Sequence, residues 1–234
     1  MNRRRQEYDN LVKAIESEEL EQCPYFCFKM LYGLSPELHF HLVYSKMNGY
    51  LSVLENRFPE VTWPRKLLDN PKGYVDKHGR QIPDSPEGLN IDDEMFLFCF
   101  HAIALAYTYI DSYAIVSTSF VCALENSIRA LGLNAWIEKK PIEHQAFMKT
   151  SDDNKRKYLD NAISIDVEKQ EWQDVASWLK KKGLLEMPDD VDVEKMEAVL
   201  KYWENGEFSL IVPKTRELLE QGRDDLEINI FDIL

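Results

Sequence analysis

The run Asp93–Gly132, DEMFLFCFHAIALAYTYIDSYAIVSTSFVCALENSIRALG, decides the fold. Between Met95 and Leu124 it carries a single formal charge, Asp111, and no other part of the chain is so apolar for so long. A helix that is apolar all round has to be surrounded by others, so this stretch is expected at the centre of the protein. Read as one helix from 94 to 131 it would be roughly 57 Å long. A compact chain of 234 residues is only about 45 Å across. The stretch is therefore expected to break into a helix pair, at Ser117-Thr118-Ser119, and to end at Gly132. Asp92 or Asp93 is read as its N-cap.

A membrane span is the competing reading of the same residues. Met95–Ile110 is short for one, and a longer span places Asp111 near mid-bilayer. The entry is marked by Asp92, Asp93 and Glu94 where a span would carry Lys or Arg. Hydroxyls recur at Thr108, Ser112, Ser117, Thr118 and Ser119. The core reading is preferred, and no membrane association is expected.

Outward from this stretch the pattern is helical. Residues 3–21 place Tyr8, Leu11, Val12 and Ile15 on one face. Ser35 as N-cap, Pro36 and Glu37 open a helix that runs to about Arg57 through Gly49, with Leu38, Leu42, Val43, Leu51 and Leu54 as its core side. CPYFCFKMLYGL, between these two, reads as a buried turn or short helix. Five of the ten prolines fall in 59–91, which reads as an irregular connection with a hairpin around His78-Gly79. Leu133–Ile137 reads as a short extended piece, and a helix is expected from Ser151 through Ala162. Val167–Lys182, stopped by Gly183, and Asp192–Trp203, stopped by Gly206, are amphipathic helices. FSLIV before Pro213 and the alternating Leu226, Ile228 and Ile230 are β-prone. The fold class expected is mainly α: a multi-helix bundle around a long apolar central helix or helix pair (94–131), with a small C-terminal β element left open. One domain over 1–234 is expected, with a weak sub-boundary near 138–151.

The chain carries 41 Asp and Glu against 28 Lys and Arg, a formal charge of −13. From Gly183 to Leu234 the count is 14 acidic against 5 basic, a net of −9. Such a surface repels nucleic acid and anionic lipid, and it attracts basic proteins. MNRRRQEYDN has no apolar run behind its basic residues, as a secretory signal would. Four cysteines are too few for a disulfide scaffold, and Cys99 and Cys122 read as buried thiols, so a reducing cytoplasm is expected.

Signatures of chemistry are sparse. Cys23 and Cys27 lack a second pair at zinc spacing. His39 and His41 point about 160° apart on a helix. Glu143-His144 lacks a second histidine, and GxSxG, GxxxxGK[ST] and GxGxxG do not occur. No metal and no cofactor is implied. Glu125 and Arg129 form an i,i+4 pair. His101 and Asp111 are expected to be buried, each hydrogen-bonded in a structural role, because on one straight helix they stand about 15 Å apart.

The function expected is that of a non-enzymatic protein-binding protein: an acidic inhibitor, of immunity or antitoxin type, that neutralises a basic partner such as a nuclease toxin. Asp189, Asp190, Asp192, Asp224, Asp225 and Trp63 are the partner-binding candidates. The alternative is an enzyme, hydrolase-like, with a polar interhelical pocket around His101 and Asp111. A third option is a subunit that forms a homo-oligomer through an apolar helix face.

Overall fold

The computed structural model describes residues 2–89, 91–141 and 164–204. Among them it holds nine α-helices and no strand. The helix expected over Ser151–Ala162, the terminal strand segments and Gly206 lie outside the described residues, as does most of the 138–151 boundary.

α1 (Arg3–Ser17) is capped by the Asn2 side chain, which accepts from the Arg4 amide at 3.0 Å. It stops at Glu18, which adopts a left-handed conformation, and a 3₁₀ turn (Leu20–Gln22) leads into α2 (Cys23–Leu31). α3 (Pro36–Arg57) begins where Ser35 and Pro36 indicate, with the Ser35 hydroxyl accepting from the Leu38 amide. Its face is broader than expected: His39, Met47 and Tyr50 are buried beside Leu42, Val43, Leu51 and Leu54.

The proline-rich segment is a correction. It contains α4 (Trp63–Asp69) and α5 (Pro71–His78), and Pro64 and Pro71 sit in their first turns, where no N–H is needed. Asn70 caps α5 by accepting from the Gly73 amide at 3.1 Å. Tyr74 and Val75 are therefore helical, and there is no hairpin. Gly79 ends α5 with φ at +61°, a conformation only glycine adopts cheaply.

The central stretch is indeed a helix pair, but it breaks elsewhere. α6 (Ile91–Thr108) and α7 (Tyr113–Lys139) are joined by a tight turn over 109–112. Asp111, the one charge, lies in that turn exposed to water, and the Ser112 hydroxyl caps α7 by accepting from Ile115. Ser117, Thr118 and Ser119 are buried inside α7 instead. Nor does Gly132 end the element. α7 continues over Leu133–Ile137, helped by the i,i+4 hydrogen bond from Asn134 to Glu138, and the Gly132 carbonyl accepts from the Ser164 amide at 3.2 Å. Asp93 is no cap either: it lies within the first turn of α6, buried, and pairs with Arg57 at 2.7 Å while the Tyr50 hydroxyl donates to it.

α8 (Ile165–Lys181) buries Trp172, Val175, Ala176 and Leu179 and stops at Gly183, with φ at +70°. A 3₁₀ turn (Leu184–Glu186) and a strap over 187–192 lead to α9 (Val193–Glu204), which buries Met196, Val199 and Leu200. α7 is the hub and packs against α6, α3, α8 and α2. One continuous apolar cluster draws on all nine helices. No described helix is long and apolar enough to cross a membrane.

Candidate functional site

Several turns meet at one end of the bundle, and a single buried arginine helps hold them there. Arg4 donates from Nε to the Met30 carbonyl at 3.0 Å and from Nη1 to the carbonyls of Met187, at 3.1 Å, and Pro188. Its Nη2 lies 3.9 Å from the Asp189 carboxylate. Burial lowers the guanidinium pKa, and Asp189 offsets this in part. The strap over 187–189 is thereby fixed to the end of α2. Next along, Val191 seats against Gly33. A Cβ on Gly33 would stand 2.2 Å from Val191 Cγ1, and φ there is +87°, so glycine is required twice over.

The seating brings the strap beside the α6–α7 turn. Tyr32, one residue before Gly33, meets the Tyr113 ring edge-on at 6.3 Å. Burial raises the Tyr32 hydroxyl pKa, and the negative charge of Asp192 raises it further. Ile110 and Tyr113, at the α6–α7 turn, and Val193, at the start of α9, have 44, 54 and 49% of their surface exposed. They are three of the five large apolar side chains exposed among the described residues. Glu37 and Asp76 line one cleft with Ile110, Asp111 follows Ile110 in the turn, and Asp190 lies on the strap; all four are exposed and make no ion pair among the described residues. These elements therefore expose apolar side chains and uncompensated carboxylates.

The acidic candidates divide in two. Asp189 is matched within the chain: Arg3 donates from Nε at 2.8 Å and pairs again through Nη2, which holds the carboxyl below its usual range. Asp192 caps α9, accepting from the Lys195 amide at 3.1 Å, and its exposed carboxylate also pairs with the Lys195 ammonium at 3.9 Å. Asp190 is exposed and unpaired among the described residues. Asp224 and Asp225 lie outside the described residues. Trp63 is buried, with its ring edge-on to Phe100 at 5.5 Å, and has little surface to offer a partner.

The other titratable groups are placed for structure. His101 is half-buried on α6, whereas Asp111, expected inside, is exposed in the turn, so the two share no interhelical pocket among the described residues. Burial pushes the Cys99 thiol up to about 12 and raises those of Cys23, Cys27 and Cys122, which suppresses the nucleophilic thiolate. His39 is buried against Phe120, its Nδ1 bonded to the Ser35 carbonyl at 2.9 Å, and desolvation lowers its pKa to about 4. His41, two residues on, is exposed. Glu125 and Arg129 pair at 3.7 Å, as their spacing indicates. No group of three potential metal ligands occurs among the described residues.

Sequence reasoning located the acids and missed the exposed apolar side chains. Ile110 and Tyr113 lie within the most apolar run of the chain and read as core. The available signal was Asp111-Ser112, a charge followed by a capping residue, which marks where the run surfaces. No family model, no curated protein and no solved structure matches this chain, so what the site does has to be read from its own residues.

Proposed function

We propose that this is a non-enzymatic binding protein that captures a basic protein partner at the turn end of the bundle. An immunity- or antitoxin-type inhibitor of a basic nuclease is the most concrete form of that role. The supporting observation is the exposure of Ile110 and Tyr113 in the α6–α7 turn and of Val193 just past the strap, together with the unpaired carboxylates of Asp111 and Asp190. Exposed aromatic and aliphatic groups supply desolvation energy at an interface. The exposed carboxylates supply steering and reject acidic competitors, among them nucleic acid and anionic membranes. Four buried cysteines, none of them in a disulfide, suit a reducing compartment such as the cytoplasm.

The experiment is capture from the native host at low and high salt, using the full chain and an Asp111→Asn/Asp190→Asn variant. Both residues are exposed, so the variant is expected to melt like the parent. A basic protein held at low salt, released at high salt and bound about tenfold more weakly by the variant supports the proposal. Capture of an acidic partner, or equal binding by the variant, overturns it.

A further inference from the structure

Beside Ile110 a small cleft opens between α3, α5 and α6, with a volume of about 70 Å³. Glu37, Lys72, Val75, Asp76, Tyr107 and Ile110 line it. We infer that this cleft is the receptor for one arginine side chain of the basic partner, an inference that rests on the function proposed above.

Size comes first. At about 10–15 Å³ for each water-sized group, the cleft has room for roughly five or six heavy atoms. The far end of an arginine, Cδ, Nε, Cζ and the two Nη, is five. Next, the walls suit a flat cation on an aliphatic stem. Val75 and Ile110 are apolar, and the Tyr107 ring is held edge-on by Phe40 at 6.2 Å and Phe120 at 5.9 Å. The surface is therefore already formed before anything binds, and little ordering is required.

Charge decides the ligand class. Glu37 and Asp76 reach the cleft from different helices, and neither makes an ion pair among the described residues. Glu37 and Tyr107 line the same cleft, and the Tyr107 hydroxyl pKa, raised chiefly by burial, is raised further by Glu37. Lys72 is the only cation in the lining, so the cleft is net negative. Lys72 is exposed and long, and it swings into water when a second cation arrives. Guanidinium fits better than ammonium here. It is planar, it loses less hydration on entering an apolar-walled slot, and it offers paired N–H groups to a carboxylate.

The probe is Nα-acetyl-arginine amide, titrated into the full chain while backbone amide signals are followed by NMR. Matched titrations use Nα-acetyl-lysine amide and Nα-acetyl-citrulline amide, the latter having the shape of arginine without its charge. Expected are saturable shifts confined to the start of α3, to α5 and to the α6–α7 turn, with a millimolar dissociation constant, as suits a ligand of about fifteen heavy atoms. The lysine probe should bind at least about threefold more weakly and citrulline not measurably. Asp76→Asn should abolish the response and fold normally, because it removes an acid from the C-terminal half of a helix. Lys72→Met should strengthen binding. Absence of saturable shifts, equal response to citrulline or to lysine, or an unaltered response in Asp76→Asn overturns the assignment. If a basic partner is captured while the probe fails, only the arginine cleft falls. If the probe binds in a chain that captures no basic protein, the cleft stands and the proposed function falls.

Discussion

The two halves of the α6–α7 hairpin differ more than their sequences do. Phe100 and Val121, some ten residues from the turn, are wholly buried, yet Ile110 and Tyr113 at the turn itself are about half exposed. All four are large apolar side chains in one run whose single charge is Asp111. The first pair is there because the fold needs it. The second is paid no such return in packing, and that imbalance is the reason to look for a partner at the turn. Hydrophobicity alone does not say where a residue sits; the position of the break does.

Substitution sharpens that contrast most directly. Phe100 contacts Trp63 at 5.5 Å and Phe96 at 5.3 Å, both edge-on, and has no exposed surface. Phe100→Ala should cost about 3–5 kcal/mol in urea denaturation, through lost transfer energy and the cavity left behind. Tyr113→Ala should cost only about 0.5–1.5 kcal/mol, through its edge-on contact with Tyr32, yet weaken capture of the partner. Comparable losses in the two variants would mean that Tyr113 is a core residue and that the turn end is not distinct.

A second contrast is between the two histidines of α3. His41 faces water, whereas His39 is buried with its Nε2 lacking a hydrogen-bond partner. The His39 pKa lies near 4 when folded and about 6.5 when unfolded. Between these values the unfolded chain binds more protons, so stability rises with pH across that window. The contribution is complete above pH about 6.5, fades as pH falls toward 4, and amounts at most to about 3 kcal/mol. Glu125 and Glu168, whose carboxyls burial pushes up, also titrate in acid. The measurement is therefore the difference between parent and His39→Gln, which leaves those two in place. Parallel pH–stability curves would show that His39 is protonated without penalty.

Local chemistry was legible in the sequence, and tertiary choices were not. Ser35-Pro36 and Gly183 marked helix ends correctly because capping depends only on neighbouring residues. Pro64 and Pro71 carried the same start signal as Pro36 but read as loop, since five prolines in one segment outweighed the position of each. Gly132 is a stop signal that packing overrides: the carbonyl it exposes takes the Ser164 amide, and the helix runs on. At the site, Asp190 and Asp192 stood out by charge. Arg4 did not, because a basic residue near a chain start looks solvated until four carbonyls and a carboxylate are folded around it. Gly33 was equally silent, since its partner Val191 is remote in sequence.

The smallest effect lies within α7 and separates two buried hydroxyls. Ser127 Oγ donates to the Ala123 carbonyl at 2.7 Å, whereas Thr118 Oγ1 has no hydrogen-bond partner. Both are fully buried, so their desolvation costs are similar and only Ser127 recovers its own. Thr118→Val keeps shape and branching and removes the unpaired group, and it should stabilise the protein by about 1 kcal/mol, or about 2–4 °C in Tm. Ser127→Ala should move the other way by about the same amount. If Thr118→Val instead lowers Tm, the hydroxyl is bonded in solution, with the carbonyl of Ala114 one turn back as its natural acceptor. Ser117 Oγ would then be the one buried hydroxyl of α7 without a hydrogen-bond partner, and the contrast between the helix interior and the turn end would rest chiefly on apolar exposure.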